Sequence, residues 1–184
     1  MSRLPPLVYE ELTPEQQKAF DAIAGPRDGV VDGPFPAWIR LPELCMSIQG
    51  VSDILRSKTN LKLYMFETIT LVVARRYSAG YMWGAHAAFA LRHGLPESIV
   101  DDINNGRRAL FDDPQDQVIF DVADALAAGK LLPRDLYDRA VDLLGIELLI
   151  EVSSDTGLYG MIATLLNTFD IRQKPGTIPL AVLE

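Results

Sequence analysis

The segment from Glu67 to Gly94 places a carboxylate inside an apolar stretch, and no other feature of the sequence constrains the fold as strongly. Large aliphatic and aromatic residues surround Glu67 on most sides of a predicted helix, which is typical of a buried helix. Acidic side chains are rarely buried without a partner, so Glu67 requires one. After a break at residues 78–80, a second predicted helix carries Trp83 and His86 on one face. If the two helices pack as a hairpin, Glu67 and His86 can meet in the core, either as a structural pair or as a proton-transfer pair.

The same segment contains the pattern E-x6-A-R-x5-Y-x-W-x2-H-x3-A-x3-G. The matching positions are Glu67, Ala74, Arg75, Tyr81, Trp83, His86, Ala90 and Gly94. This pattern resembles the carboxymuconolactone decarboxylase family, which includes the alkylhydroperoxidase D-like proteins, and the similarity covers roughly residues 10–170. The resemblance implies an all-α, single-domain helical bundle of the alkylhydroperoxidase D-like type over residues 1–184, with about seven or eight helices. It also implies a homotrimer or homohexamer, with 1–12 and 171–184 as extended arms.

Two departures from the family pattern bear on the chemistry. The peroxidase branch has a C-x-x-C pair before the histidine, and here those positions hold Ala79 and Met82. The only cysteine, Cys45, lies on a different predicted helix and is expected to be an inert buried thiol. Peroxide reduction by a dithiol needs two neighbouring thiols, so this activity is not expected. Many decarboxylase-like members have Y-E-W, and here Met82 replaces the glutamate. Taken together, the two departures make the chain resemble a longer branch of the family that lacks the cysteine pair.

Turn residues and apolar periodicity predict the helices. Thr13-Pro14-Glu15-Gln16 supplies an N-cap, a proline in the first turn and a capping-box glutamine, so a helix begins there and runs to about Ala24. The other predicted helices are Pro42–Lys58, Leu61–Tyr77, Gly80–His93, Pro96–Asn105, Asp113–Ala128, Pro133–Leu144 and Glu147–Phe169. No alternating segment bounded by turn signals indicates a strand. Residues 25–41 are predicted to form a long loop.

Three further features of the sequence allow more than one interpretation. Phe35 and Trp38 either pin the 25–41 loop to the core or cover a ligand pocket. Arg56 ends its helix, where it either complements the helix dipole or reaches a carboxylate ligand. The apolar end of the tail, residues 178–183, is expected to lie on the body of the protein or on a neighbouring subunit.

Composition and missing motifs exclude several classes of function. The net charge of −8 makes nucleic acid an unsuitable partner, because phosphate binding needs clustered lysine and arginine. No secretion signal and no apolar run of about 18 residues is present, so a cytoplasmic location without a membrane partner is expected. No phosphate-binding glycine motif and no converging set of metal ligands is found, so neither a cofactor nor a metal is expected.

The chemistry that the resemblance implies is decarboxylation of a small cyclic carboxylic acid or lactone from aromatic-compound catabolism. Without a cofactor, the electrons must move into a conjugated carbonyl and a proton must be delivered to carbon. A protonated, desolvated Glu67 is the candidate acid, with His86 as donor or relay. The substrate-binding candidates are Arg56, Arg75, Tyr77, Ser78, Tyr81, Trp83, Phe35 and Tyr159.

The alternatives belong to other classes of protein. Glu67 and His86 can be a structural pair in an oligomeric small-molecule-binding protein that has lost catalysis. An isomerase, dehydratase or hydrolase acting on a related cyclic acid is also compatible with the pair. His93 precedes the predicted C-cap Gly94 and is assigned only to the helix terminus. Residues 153–155, Ser-Ser-Asp, are interpreted as a polar patch or a bent turn.

Overall fold

The computed structural model describes residues 2–183, and within that range every regular element is a helix, which confirms the predicted all-α class. The helices are α1 (Pro14–Ala24), α2 (Phe35–Trp38), α3 (Pro42–Ser57), α4 (Leu63–Arg76), α5 (Gly80–Arg92), α6 (Glu97–Asn104), α7 (Pro114–Ala127) and α8 (Arg134–Thr168), with 3-10 turns at Tyr9–Glu11 and Gly25–Arg27. Along the described residues, no helix combines the length and apolar character needed to cross a bilayer.

The helix starts follow from local chemistry. The Thr13 hydroxyl accepts a hydrogen bond from the Gln16 backbone N–H, and the Gln16 side chain accepts one from the Thr13 backbone. This capping box is the one predicted from the sequence, and it satisfies two backbone donors that the first helical turn leaves free. Asp113 caps α7 in a similar way by accepting from the Gln115 backbone N–H, with Pro114 in the first turn.

Two predicted boundaries need correction. The 25–41 segment is not an uninterrupted loop, because Gly25–Arg27 forms a 3-10 turn and Phe35–Trp38 forms a short helix. The two predicted C-terminal helices meet without an intervening loop, and Gly145 alone adopts a non-helical conformation, with φ 74° and ψ 167°. That backbone region is accessible essentially only to glycine, so the bend is located at this residue.

Helix α4 is the centre of the fold. Ten consecutive residues, from Met65 to Ala74, are buried, and the helix packs against α5, α7 and α8. The hydroxyls of Thr68 and Thr70 donate to backbone carbonyls one turn earlier in the same helix. The buried Glu67 carboxylate has no hydrogen-bond partner within its own helix, so it depends on side chains from neighbouring helices.

A smaller apolar cluster joins α1, α2 and α3 to the last helix. It contains Ile23, Trp38, Ile39 and Ile48, with Leu158 of α8 packed against them. This cluster holds α3 against the body of the protein, and α3 carries Arg56 at its C-terminal end.

The C-terminal segment runs back over the helices. Ile178 and Leu180 pack against the main core, which agrees with the predicted packing of the tail on the body. The Gln173 amide donates to the Ile178 carbonyl at 2.6 Å and so folds the segment back on itself. The segment crosses α5 at Gly84, where a Cβ atom would come within 2.5 Å of the Thr177 hydroxyl oxygen.

Candidate functional site

Glu67 and His86 meet where α4 packs against α5. The turn between these helices is short, and Ser78 takes a left-handed conformation within it, with φ 51°. This turn folds α5 back along α4, so that Nδ1 of His86 lies 2.7 Å from Oε2 of Glu67. The Glu67 side chain is 1% exposed and that of His86 is 16% exposed, so the pair lies at the inner end of a site that reaches the surface.

Two further side chains with positive or titratable groups surround the Glu67 carboxylate. Nη2 of Arg56 lies 3.7 Å from Oε1 of Glu67, and Nδ1 of His93 lies 3.9 Å from the same oxygen. The side chains of Arg56 and His93 are 49% and 28% exposed, so they form the solvent-facing side of the site. Buried carboxylates require such partners because desolvation of a lone charge is costly.

The position of His93 differs from its predicted role. It lies at the end of α5, as expected, but it is itself the C-cap in place of Gly94, and its ring turns toward Glu67. Within residues 2–183, its buried Nδ1 atom has no hydrogen-bond partner. The relevant sequence signal was its spacing from His86, because residues seven apart lie two turns along one helical face.

Aromatic rings form one wall of the site. The Tyr159 ring on α8 meets the His86 ring edge-on, with 5.4 Å between centroids, and meets the Phe66 ring at 5.6 Å. The Arg56 guanidinium lies 5.0 Å from the centroid of Phe66. Burial raises the pKa of the Tyr159 hydroxyl, so this residue stays a neutral phenol at ordinary pH. These contacts restrict the orientation of the imidazole and the guanidinium.

Asp155 was not recognised as a site residue from the sequence. It lies within α8, one turn before Tyr159, rather than in a bent turn or an exposed polar patch. The side chain is buried, and neither carboxylate oxygen has a hydrogen-bond partner among the described residues. Burial raises the pKa of Asp155 to about 7, against the lowering effect of Arg56 and with smaller contributions from Glu151 and Glu67. The site therefore contains a second carboxyl group that can carry a proton near neutral pH.

Arg75 and Ser78, two predicted substrate-binding residues, lie away from Glu67. Arg75 is near the opposite end of α4, where Nη1 donates to the backbone carbonyls of Asn104 at 3.1 Å and Ala181 at 2.6 Å. Its Nη2 donates to the Ser78 hydroxyl at 3.4 Å. The structure therefore groups Arg75 and Ser78 with the C-terminal segment.

The other predicted residues are distributed over the fold. Trp83 is fully buried in the main core, and its Nε1 has no hydrogen-bond partner in the part of the chain that is described. Tyr81 packs against Gly33, and burial together with Asp32 raises the pKa of its hydroxyl. The remaining two predicted residues are Tyr77, whose hydroxyl faces Gly160, and Phe35, whose ring lies beneath the Arg27 guanidinium.

The Cys45 thiol and the arrangement of possible metal ligands bear on two further kinds of chemistry. Cys45 is buried, and burial raises the pKa of its thiol, which disfavours the reactive thiolate. No three His, Cys, Asp or Glu side chains of residues 2–183 are arranged to hold a metal ion. The site is therefore a cluster of two carboxyl groups, two imidazoles and one guanidinium.

Known structures share this arrangement of helices. No protein-family model matches the sequence, and no curated protein matches it. An uncharacterized peroxidase-related protein from Ralstonia eutropha JMP134, described as an alkylhydroperoxidase AhpD core, aligns with a TM-score of 0.76 and 17% identity, over 95% of this chain and 93% of its own. The chain has the alkylhydroperoxidase D-like fold.

Two further structures with this fold extend the comparison. A peroxidase-related protein from Silicibacter sp. TM1040 aligns with a TM-score of 0.72 and 19% identity, over 97% of this chain and 90% of its own. The debrominase Bmp8, in complex with 2,3,4-tribromopyrrole, aligns with a TM-score of 0.73 and 14% identity, over 94% of this chain and 91% of its own. The expected alkylhydroperoxidase D-like architecture is thus confirmed at the level of the fold.

Proposed function

We propose that the protein is a cofactor-independent enzyme that transfers a proton between His86 and a small cyclic carboxylic acid or lactone. The observation that carries this proposal is the 2.7 Å contact between Nδ1 of His86 and the buried carboxylate of Glu67. The reaction class that fits best is decarboxylation, a lyase reaction, on a substrate of the kind found in aromatic-compound catabolism.

In this mechanism Glu67 orients the imidazole. A carboxylate can only accept hydrogen bonds, so Nδ1 of His86 is the donor and Nε2 remains available as a base or, once protonated, as an acid. The edge-on contact with Tyr159 holds the ring in that orientation. The imidazole, rather than the Glu67 carboxyl expected from the sequence, then exchanges the proton with substrate.

A decarboxylation step balances with these groups alone. The bond between the ring carbon and the carboxylate breaks, CO2 leaves, and the electron pair moves into the conjugated carbonyl of the substrate. The protonated His86 then delivers a proton to carbon. Arg56 is suited to hold a second substrate carboxylate, because its guanidinium is half-exposed beside Glu67 and can bind a carboxylate through two N–H groups.

The comparisons support an enzyme of this fold without specifying its reaction. Bmp8 is a debrominase that holds a small substituted ring, tribromopyrrole, so a cyclic ligand is compatible with the fold. Dithiol peroxide reduction is not proposed, because Ala79 and Met82 occupy the positions of the thiol pair and Cys45 is the only cysteine. An isomerase, dehydratase or hydrolase on a related cyclic acid would use the same His86 imidazole.

A second candidate is a small-molecule-binding protein that has lost catalysis. Two observations favour it. Met82 and Trp83 fill the core beside the pair, since both side chains are buried. Cavities of about 920 and 650 Å³ occur in the fold, and both are lined by residues other than Glu67 and His86. In such a binding protein, the contact with His86 would only provide the buried Glu67 carboxylate with a hydrogen-bond partner.

The experiment that separates these candidates is a turnover assay with CO2 detection over a panel of lactones and aromatic acids. In the enzyme, Glu67→Gln and His86→Gln each keep the fold and each lower turnover by about 10²–10⁴-fold. The two losses are not additive, because the residues act as one unit.

The matched control is Glu97→Gln, which changes an exposed glutamate in the first turn of α6. It is expected to retain wild-type turnover. Full activity in a folded Glu67→Gln or His86→Gln variant contradicts the proposal, and so does the absence of turnover across the whole panel.

We also propose that the chain assembles as a homotrimer or homohexamer. Helix α3 exposes four large apolar side chains that a single copy does not cover. They are Leu44, Met46, Val51 and Ile54. Light scattering at micromolar concentration tests this, and a mass near that of one 20.4 kDa chain contradicts it.

A further inference from the structure

A second cavity lies at the other end of α4 and takes no part in the proposed reaction. It has a volume of about 920 Å³, within the range of pockets that hold small molecules. The end of α4, the loop after α6, α7, the start of α8 and the C-terminal segment form its walls. We call it the Arg75 cleft.

Positive side chains dominate the polar lining of the Arg75 cleft. Two acidic side chains, Asp121 and Asp124, line it together with five basic ones. The basic residues are Arg75, Arg76, Arg107, Arg108 and Lys130. This local excess of positive charge occurs in a protein whose net charge is −8. An anion in solution is attracted to such a cleft.

Three of the five basic side chains are already neutralised by aspartates. Arg76 pairs with Asp124, and Arg108 pairs with Asp121. Arg107 likewise pairs with two aspartates of α6, Asp101 and Asp102. The charge available to a ligand must therefore come from the two remaining basic residues.

Arg75 and Lys130 have no acidic partner among residues 2–183. Backbone carbonyls of Asn104 and Ala181 orient the Arg75 guanidinium, and burial lowers its pKa because the charge is partly desolvated. A desolvated guanidinium held by neutral acceptors retains N–H groups for a planar carboxylate.

Apart from Ser78 and Gln173, the rest of the lining is mainly apolar. Val72, Ile103, Phe120 and Leu136 are buried side chains that form its inner surface. Leu180 of the C-terminal segment adds to this surface. A ligand that satisfies both parts of the lining has one negative group and an apolar body.

We propose that the Arg75 cleft binds a small amphipathic carboxylate, with the carboxylate on Arg75 and Lys130 and the apolar body against Phe120 and Leu136. The C-terminal segment forms one side of this site. The Ala181 carbonyl accepts a hydrogen bond from Arg75, and the Ala181 backbone N–H donates to Oδ1 of Asn104 at 2.8 Å. This site is independent of the proposed reaction, since Arg75 lies eight residues, or about 12 Å, along α4 from Glu67.

The test is a calorimetric titration of the full chain with 2-naphthoate and with its neutral analogue 2-naphthamide. We expect 2-naphthoate to bind and 2-naphthamide to bind at least about tenfold more weakly. Arg75→Met and Lys130→Met are each expected to weaken 2-naphthoate binding by about tenfold or more. Lys130 is exposed, so its replacement keeps the proposal testable if Arg75→Met fails to fold.

Two controls make the result specific. Lys58→Met removes an exposed lysine at the end of α3 and is expected to bind 2-naphthoate as the wild type does. His86→Gln is expected to keep the same affinity, which separates this site from the proposed active site. Equal affinity of wild type and Lys130→Met, equal binding of acid and amide, or no binding at millimolar concentration overturns the proposal.

Discussion

The two ends of α4 hold a charged side chain in different ways. At Glu67, the carboxylate is enclosed by side chains that can gain or lose a proton or that carry a fixed charge, namely His86, His93 and Arg56. At Arg75, the guanidinium is oriented by backbone carbonyls, which neither exchange protons nor carry a charge. The first arrangement suits proton transfer, whereas the second suits binding of an ion without chemistry.

Solvent access differs in the same sense. The Glu67 side chain is 1% exposed, so the electrostatic interactions of its carboxylate with His86, His93 and Arg56 are strong and sensitive to each partner. The ion pairs around the Arg75 cleft are more exposed, so solvent screens them and each contributes less. Variants at the two ends should therefore differ in size of effect, in pH dependence and in salt dependence.

The largest stability effect is expected at Asp155, close to the Glu67 end. Its pKa is about 7 in the folded protein and near 3.8 in the unfolded chain. The folded state therefore binds the proton more tightly, and Asp155 costs stability as the pH rises from about 4 through about 7. Asp155→Asn is expected to stabilise the protein by on the order of 2–4 kcal/mol at pH 8 and by a smaller amount, about 1–2 kcal/mol, at pH 5, because at pH 5 only the unfolded chain has lost the proton.

Urea unfolding of wild type and Asp155→Asn at pH 5 and pH 8 measures this difference. Asp135→Asn, an exposed aspartate at the start of α8, is the control and should show the same small effect at both values. An Asp155→Asn effect that is equal at the two pH values contradicts the assignment of a buried, protonated carboxyl.

The next effect concerns the pair itself. His86→Leu leaves the buried Glu67 carboxylate without its closest donor and is expected to lower the free energy of unfolding by about 1–3 kcal/mol. The double variant Glu67→Leu with His86→Leu should recover most of this loss, because two apolar side chains replace both partners. A double-mutant cycle from urea unfolding gives the coupling, and simple additivity of the two single effects would sink this interpretation.

The smallest effect is expected at the Arg75 end. Arg76 and Asp124 form an ion pair in which the Arg76 Nε lies 2.7 Å from an Asp124 oxygen, and the two side chains are 43% and 34% exposed. Arg76→Gln is expected to cost about 0.2–1 kcal/mol, because surface ion pairs contribute little. The cost should vanish in 1 M salt, where the screening length is about 3 Å. A loss above about 2 kcal/mol would show that the two ends of α4 are less different than proposed.

The helices and the meeting of Glu67 with His86 could be predicted because both depend on local information. Capping residues and prolines mark the helix starts, and a buried carboxylate on one arm of a helical hairpin requires a partner on the other arm. The separation of Arg75 from Glu67 was also predictable, since eight helical residues span about 12 Å and cannot converge on one small substrate.

Arg56 beside Glu67 and the burial of Asp155 could not be predicted in this way. Arg56 reaches the site from α3 and Asp155 from α8, and their approach depends on packing between segments that are distant in sequence. In sequence, Asp155 has polar neighbours, Ser153 and Ser154, which masked the fact that its own helical face is buried. Tertiary packing rather than local pattern decided both positions.

The bend at Gly145 has a consequence for the dimensions of the molecule. A straight helix of the length of α8, 35 residues, would be about 52 Å long, whereas a compact chain of 184 residues is roughly 40 Å across. One arm or the other would extend into solvent. The bend turns the helix back onto the body, so that one arm brings Leu136 to the Arg75 cleft and the other brings Asp155 and Tyr159 toward Glu67. The diameter of the protein is thus set in part by a residue with no side chain.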